Sequence, residues 1–177
     1  MSTATNVTAQ AVNTIEWLSA SGTTIVVPVY QRQYRWDIGG CEKLLADVRA
    51  VAASNDAHTH FIGSILSSES TAVTTGPDDV AELVLIDGQQ RITTLMLLVA
   101  ALHHTVRADN PVLAAELERV LVRASDPHRT KLRPHRAWAE VFEKVVLEKT
   151  GEHEARDSRF DDNYAFFRSQ IRPDEAA

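Results

Sequence analysis

The sequence has little of what holds together or targets a secreted or membrane protein. Cys41 is the one cysteine among 177 residues, which excludes an internal disulfide and fits a reducing compartment. The first ten residues are polar and contain neither a basic segment nor an apolar core, so they do not resemble a signal peptide. No apolar run approaches the length of a membrane span. These absences predict a cytoplasmic protein with no membrane association.

Positive charge is also scarce. There are 18 lysines and arginines against 24 aspartates and glutamates, which gives a net charge of −6 and argues against a protein that binds nucleic acid over its whole surface. Basic residues cluster in one run, 123–136, which holds a single acid. This run predicts either a solvated loop or a local basic face that contacts DNA phosphates. The candidate phosphate contacts are Arg129, Lys131, Arg133 and Arg136.

The length predicts one domain, and the order of elements is mixed. Helical periodicity indicates helices at about 8–20, 37–53, 90–107, 110–123, 134–149 and 159–172. Short β-branched or apolar runs indicate strands at 23–30, 60–69 and 81–88, with a further short strand at 130–133 and a hairpin-type connection at 70–79. Strands among helices, followed by helices alone, predict an α/β or α+β domain with a helical C-terminal half.

The segment 82–102 places small and polar residues between two aliphatic runs, in the pattern IDGQQRITTL. A buried strand would end at Asp87, Gly88 would allow a positive φ, and a helix would begin near Gln90. A helix N-terminus beside a glycine turn is an anion site, and Arg91 adds a fork suited to phosphate. The other interpretation is a turn in which Asp87 caps a core helix. The candidate nucleotide-binding residues are Asp87, Gly88, Gln89, Gln90, Arg91, Thr93 and Thr94.

A second motif, VPVYQRQYRW at 27–36, interleaves aromatic residues with arginines. Such a stretch can stack on bases or sugars and clamp phosphates. It can equally anchor a loop in the core while its arginines stay solvated. The candidate residues for sensing DNA are Pro28, Val29, Tyr30, Gln31, Arg32, Tyr34, Arg35 and Trp36.

Together the two motifs resemble the N-terminal domain of the GmrSD-type modification-dependent restriction enzymes, which the phosphorothioate-sensing SspE proteins share. The segments HFIGSIL, KLRPHRAWAEVFEKV and NYAFFRSQI look like the same family, so the resemblance covers about residues 12–171. It implies a ParB/sulfiredoxin-like fold, with a small mixed sheet, flanking helices and added helices. The nucleotide- and DNA-sensing core would span 1–125 and a helical extension of the same domain would span 126–177.

The resemblance also implies a function. It implies binding or hydrolysis of GTP or another nucleoside triphosphate with Mg²⁺, with catalysis by Asp87, Gln89, Gln90 and Arg91. It implies a role in defence against phage, in which modified double-stranded DNA is sensed. In full-length members a C-terminal nuclease domain in cis does the cutting, and cleavage is not expected from this chain. Redox chemistry is not expected, because glutamines stand where sulfiredoxins carry a catalytic cysteine. The one candidate metal contact is Asp87, which could reach Mg²⁺ through water.

Three functions remain open on the sequence. The first is a nucleotide-hydrolysing sensor of modified DNA, with the apolar content of VVPVY favouring a phosphorothioate over a glycosylated base. The second is a DNA-binding module whose DGQQR loop grips a DNA phosphate without hydrolysing a nucleotide. The third is a toxin-like or structural partner domain that uses the helices between Pro134 and Arg172 as an interface.

Overall fold

The computed structural model describes residues 8–20, 22–54, 61–69, 81–135, 137–149 and 158–172. Within these residues the elements are, in chain order, α1 (Thr14–Ser19), β1 (Thr23–Val26), α2 (Ile38–Ala52), β2 (Leu66–Glu69), β3 (Ala81–Asp87), α3 (Gln89–Val106), α4 (Pro111–Leu121), β4 (Leu132–Arg133), α5 (Ala139–Val146) and α6 (Arg159–Gln170). The hairpin-type connection predicted at 70–79 lies outside the described residues.

The strands form one mixed sheet in the order β2-β3-β1-β4. β1 is parallel to both β3 and β4, so the carboxyl ends of β1 and β3 lie at the same edge. β2 is antiparallel to β3, and its first residue, Leu66, stands opposite Asp87. The sheet with its flanking helices confirms the predicted α+β fold, and β3 is a central strand as expected. We call the edge where β1 and β3 end and β2 begins the motif edge.

α3 is the central helix of the domain. It starts one residue after β3 and packs against α4, α5 and α6. Most of its 18 residues are buried, because its aliphatic side chains face other elements on nearly all sides. No helix within the described ranges is both long and apolar enough to cross a membrane.

Elements with a local start signal begin where the sequence predicts. The Asp37 side chain accepts a hydrogen bond from Gly40 N at 3.0 Å and caps α2. Asn110 caps α4 through Leu113 N at 3.1 Å, with Pro111 in the first turn. In both cases a short polar side chain accepts a hydrogen bond from a first-turn amide that has no partner within the helix.

Two elements near the N-terminus are shorter than predicted. The helix expected from residue 8 begins only at Thr14, because Asn13 is extended and its side chain caps Ile15 N at 2.9 Å. The strand expected over 23–30 ends at Val26. Pro28 has no N–H for a ladder, and Gln31 N bonds back to Pro28 O at 3.1 Å, which makes a turn of residues 28–31.

Two further predicted elements, the strand at 60–69 and the helix at 134–149, begin later in the structure than predicted. Residues 61–65 are not strand, and Gly63 there has a φ of 99°. Pro134 does not open a helix, since α5 begins at Ala139. The preceding residue, Arg133, is held extended in β4, where its carbonyl accepts from Val27 N at 2.9 Å.

Candidate functional site at the motif edge

The two sequence motifs meet at the motif edge. The 28–31 turn follows β1, and the DGQQR loop follows β3. Gln31 Nε2 donates to Ile86 O at 2.9 Å, which ties the turn directly to the last residues of β3. Loops at the carboxyl ends of parallel strands are common ligand-binding positions in α/β proteins. The fold therefore brings together two motifs that lie more than fifty residues apart.

The N-terminus of α3 is capped by a glycine and by no side chain. Gly88 has φ 92° and ψ 2°, a conformation that residues with a Cβ rarely adopt. Ile92 is the first residue of α3 whose N–H bonds back, to Gly88 O at 3.1 Å. The amide groups of residues 89–91 precede that bond and have no carbonyl one turn before them. They concentrate partial positive charge at the motif edge, where an anion is favoured.

Arg91 and Asp87 are the charged side chains of the DGQQR loop. The Asp87 carboxylate is mostly exposed and lies 3.8 Å from an Arg91 guanidinium nitrogen. Another nitrogen of the same group donates to Ile62 O at 3.0 Å. A Cβ on Gly63 would overlap the guanidinium, so the glycine leaves the space that Arg91 occupies. Sequence reasoning missed Ile62 and Gly63, although the glycine of HFIGSIL was a visible signal.

Gln89 and Gln90 point away from solvent. Both are buried, at 6% and 8% exposure. Gln90 accepts from Arg35 N at 2.8 Å and donates to Gln33 O at 3.1 Å. Gln89 donates to Arg32 O over a longer 3.4 Å, and its Oε1, also buried, receives no hydrogen bond from the described residues. The two glutamines hold the other motif by its main chain, a role that the sequence did not indicate.

Thr93 and Thr94 also face inward. Both residues are buried, and their hydroxyls donate to Gln89 O and Gln90 O at 2.8 Å. These bonds satisfy the hydroxyls within the first turns of α3. The structure thus places the threonines of the candidate nucleotide set behind the motif edge and leaves the Asp87 and Arg91 side chains in front, whereas Gly88 is buried beside Ile65.

The aromatic motif is divided between core and surface. Tyr34 and Trp36 are half-buried and pack against the core, and the Tyr34 ring stacks on Phe160 with centroids 5.1 Å apart. Tyr30 is 73% exposed and Val29 71% exposed, both at the tip of the 28–31 turn. The anchoring interpretation therefore describes Tyr34 and Trp36, and a recognition surface remains available at Val29 and Tyr30.

Another exposed aromatic residue lies at the same edge. Phe61 is 80% exposed and directly precedes Ile62, which contacts Arg91. Leu66 and Ile86, at the start of β2 and near the end of β3, are also exposed. Single exposed apolar residues are normal on a surface, and several near one sheet edge make that edge a candidate binding surface. Sequence reasoning missed Phe61, Leu66 and Ile86 because strands predicted as regular suggested buried side chains.

Side chains of the basic run contact other groups of the same domain. Lys131 is 2% exposed, and its ammonium donates to Leu18 O, Ala20 O and Arg119 O at 2.7, 3.0 and 2.9 Å. The ammonium thereby supplies hydrogen-bond donors to carbonyl groups at the ends of α1 and α4. The prediction that Lys131 contacts DNA is at odds with this burial.

Two arginines of the run form ion pairs, and Arg123 donates to Thr130 O at 3.2 Å. Arg129 lies 3.1 Å from a Glu143 carboxylate oxygen, and Arg133 donates to Glu82 at 2.6 Å. Arg136 lies outside the described residues. A carboxylate beside each of these arginines reduces the positive field that a DNA phosphate would feel.

Comparison with curated proteins finds no match. The family model described as GmrSD restriction endonuclease, N-terminal domain, matches residues 14–176. This span runs from the first residue of α1 past the end of α6 and contains both motifs of the motif edge. The chain therefore belongs to the family of N-terminal domains of GmrSD restriction endonucleases, a component of restriction systems.

Proposed function

We propose that this domain is the sensor of a modification-dependent anti-phage restriction protein, similar to the SspE proteins. It reads modified double-stranded DNA at the 28–31 turn and hydrolyses a nucleoside triphosphate, GTP in the first instance, at the N-terminus of α3. The observation that carries the proposal is the bond from Gln31 to Ile86 O, which holds both motifs at one edge. DNA cleavage belongs to a C-terminal nuclease domain in cis.

The nucleotide part of the proposal rests on the groups in front of α3. The free amides of the first turn and the Arg91 guanidinium suit phosphate oxygens. Mg²⁺ is usually held by one or two carboxylates together with substrate phosphates and waters, and it neutralises charge on the phosphates when bound. Asp87, exposed beside Arg91, fits that requirement. Among the described residues no three His, Cys, Asp or Glu side chains form a metal-binding group, and Mg²⁺ held by Asp87 would take its other ligands from phosphates and water.

The DNA part rests on the exposed apolar groups. A phosphorothioate sulfur is larger, softer and less well hydrated than oxygen, so a site that prefers it needs an apolar wall with a few donors. Val29, Tyr30 and Phe61 supply apolar surface at the motif edge, and Arg32 and Arg35 supply positive charge beside it. A glycosylated base is the other modification that stacking on Tyr30 would serve.

A second function is favoured by one observation. Gln89 and Gln90 are buried and engaged with the backbone of residues 32–35, so in this arrangement neither presents its amide to a water molecule. Without a residue that orients water, the loop would bind a phosphate and not hydrolyse a nucleotide. The domain would then be a DNA-binding module whose α3 N-terminus grips the DNA backbone.

Phosphate release separates the two functions. We expect GTP or ATP hydrolysis that rises with a phosphorothioate-modified duplex and not with the plain duplex, and that Arg91→Ala abolishes. The matched control is Arg107→Ala, at the other end of α3 and about 24 Å away along the helix axis. Duplex binding without hydrolysis under any condition would select the binding module.

Competition between duplexes tests the modification. We expect the modified duplex to win over the plain duplex, and Tyr30→Ala to remove most of that preference. Val112→Ala removes an equally exposed apolar side chain on α4 and should leave the preference unchanged. Equal competition by plain DNA in the unaltered protein would rule out sulfur recognition, and a preference for glycosylated DNA would favour the other modification.

A further inference from the structure

The residues that join the two motifs lead to an inference that rests on the proposed function and goes beyond it. We call residues 32–36 the connector, because they follow the 28–31 turn and lead into α2. The first turn of α3 holds the connector from one side. Gln90 bonds both to Arg35 N and to Gln33 O, and Gln89 bonds to Arg32 O. A movement of the turn that displaces the connector would therefore also displace the start of α3.

α6 holds the connector from the other side. Asn163 is 1% exposed, and its Nδ2 donates to Tyr34 Oη at 2.8 Å and to Trp36 O at 3.0 Å. Arg159, at the start of α6, donates to Arg35 O at 3.0 Å. A buried amide that uses its donors on a loop fixes that loop with geometric specificity. The connector is thus held between α3 and α6.

The Tyr34 hydroxyl lies within hydrogen-bond distance of a side chain from α3, Thr94, and of one from α6, Asn163. Thr94 gives its hydroxyl proton to Gln90 O, so the 2.8 Å contact between Tyr34 Oη and Thr94 Oγ1 must be donated by Tyr34. The same Oη accepts from Asn163. Burial raises the pKa of the Tyr34 hydroxyl, which keeps this proton in place at neutral pH. The chain of bonds runs without a gap from Asn163 through Tyr34 to Thr94.

The α3 side of this arrangement is incompletely satisfied. Gln89 makes one long hydrogen bond, and its buried Oε1 receives none from the described residues. A buried acceptor without a partner costs about 1–3 kcal/mol. A shift of the connector that brought a donor to this oxygen would recover part of that cost. A shifted connector could therefore satisfy Gln89 better than the present arrangement does, and coupling between two sites requires an element of this kind that both sites can bias.

We propose that Tyr34 and Asn163 are positioning residues that couple DNA occupancy of the 28–31 turn to the nucleotide end of α3 and to α6. Neither residue need touch DNA or nucleotide. Binding at the turn shifts the connector, and the shared Tyr34 hydroxyl passes the shift to Thr94 on one helix and to Asn163 on the other. By linkage, the nucleotide changes DNA affinity by the same factor as DNA changes nucleotide affinity.

The test is a binding cycle with a phosphorothioate-modified duplex and the β,γ-imido analogue of GTP with Mg²⁺. In the unaltered protein we expect the analogue to change the duplex Kd by about fivefold or more. In Tyr34→Phe, which keeps the ring stacked on Phe160, we expect that factor to fall to about twofold or less while each ligand alone binds as before. Asn163→Ala should reduce the factor in the same way.

The matched control is Tyr164→Phe. It removes a tyrosine hydroxyl from α6 itself, but that hydroxyl contacts His104 and Glu148 and not the connector. The control should keep the full coupling factor. A second readout is hydrogen exchange of residues 159–170, which should change on duplex binding in the unaltered protein and in Tyr164→Phe, but not in Tyr34→Phe.

Each outcome bears on the proposal. Full coupling in Tyr34→Phe, or equal loss in Tyr164→Phe, would overturn the role of the Tyr34 hydroxyl. An unaltered protein that binds both ligands independently would overturn the coupling while leaving both binding sites in place. A protein that binds duplex but no nucleotide would overturn the proposed hydrolysis and with it the coupling to α3, and the exchange of α6 would still report on the Asn163 branch.

Discussion

At the scale of single residues, Gly63 determines where the Arg91 guanidinium lies. Two features favour glycine at position 63. Its φ of 99° is strained for a residue with a Cβ, and a Cβ there would overlap the Arg91 guanidinium. We expect Gly63→Ala to displace Arg91 and weaken binding of the GTP analogue by about tenfold, because an oriented phosphate contact is lost. Isothermal titration measures this affinity.

A matched variant separates backbone strain from the Arg91 contact. Gly22 has a φ of 78° but no atom within 4 Å of a Cβ built there. Gly22→Ala should destabilise the fold by about 1–2 kcal/mol, as any Cβ in this conformation does, and should leave nucleotide affinity unchanged. If the two alanine variants weaken the analogue equally, Gly63 has no specific role in placing Arg91.

Lys131 is the residue whose structural role differs most from the sequence interpretation. Its ammonium is bonded to three carbonyl oxygens. We expect Lys131→Met, which keeps the length of the side chain, to lower the free energy of unfolding by about 2–4 kcal/mol because it leaves those carbonyls without donors. Urea denaturation measures the change. Arg129 is half-exposed and its partner Glu143 keeps Lys149 at 2.8 Å, so Arg129→Gln should cost under about 1 kcal/mol. Unchanged stability with weaker duplex binding in Lys131→Met would restore the original prediction.

At the scale of elements, the far end of α3 is joined to α6 by a polar cluster. Tyr164 donates its one proton to Glu148 at 2.6 Å, so the 2.7 Å contact between His104 Nδ1 and Tyr164 Oη must be donated by the imidazole. Arg107 contacts the other Glu148 oxygen at 3.0 Å. Burial lowers the pKa of His104 to about 4 despite the attraction of Glu148, and His103, Arg107 and Arg168 lower it further. At neutral pH the imidazole is therefore uncharged, and its contact with Glu148 is not an ion pair.

This cluster predicts how stability depends on pH. The His104 pKa is lower in the folded than in the unfolded chain, so the unfolded chain takes up the proton first. Stability should be greatest above pH 6.5 and should fall as the pH drops from about 6.5 to about 4. His104→Asn keeps a donor for Tyr164 and does not titrate, so it should make this slope shallower in urea denaturation at several pH values. Burial also lowers the pKa of His103, which leaves a smaller slope of the same sign.

The control for the pH prediction is His128→Asn at an exposed position. It should leave the slope as it is in the unaltered protein. Glu148 acts in the same direction at lower pH: although burial opposes it, hydrogen bonding from Tyr164 and the neighbouring His104 and Arg107 lower the Glu148 pKa. Its contribution is lost only as the pH falls below about 4.5 and through that lowered pKa. A slope between pH 6.5 and 4 that is as steep in His104→Asn as in the unaltered protein would assign the effect to another group.

The elements also show how far the sequence alone could lead. α2 and α4 were predictable because Asp37 and Asn110 with Pro111 are signals within a few residues of the helix start. The contacts of Gln90 with the connector span 55 and 57 residues, and no local pattern encodes them. The excess of polar groups in DGQQR was visible in the sequence, but whether they faced a ligand or another loop depended on the sheet order. The burial of Lys131 depended likewise on how α1 and α4 end beside β4.

At the scale of the whole molecule, the charge distribution sets the expected response to salt. The net charge is −6, and Arg129 and Arg133 of the basic run are paired with acids. The arginines near the motif edge are Arg32, Arg35 and Arg91. If about three phosphates are neutralised, the logarithm of the duplex association constant should fall with the logarithm of salt concentration at a slope of about −3.

Fluorescence anisotropy between about 50 and 200 mM KCl measures that slope. Arg35 bonds to Gln90 and Arg159 through its main chain, so Arg35→Gln should remove one phosphate contact without breaking the connector, and the slope should become shallower by about one. Arg133→Gln should leave the slope unchanged, because its charge is already committed to Glu82.

A slope near −5 that Arg133→Gln reduces would show that the basic run opens its ion pairs to bind DNA. The domain would then hold the duplex over two surfaces, and the motif edge would supply the discrimination between modified and plain DNA rather than most of the affinity.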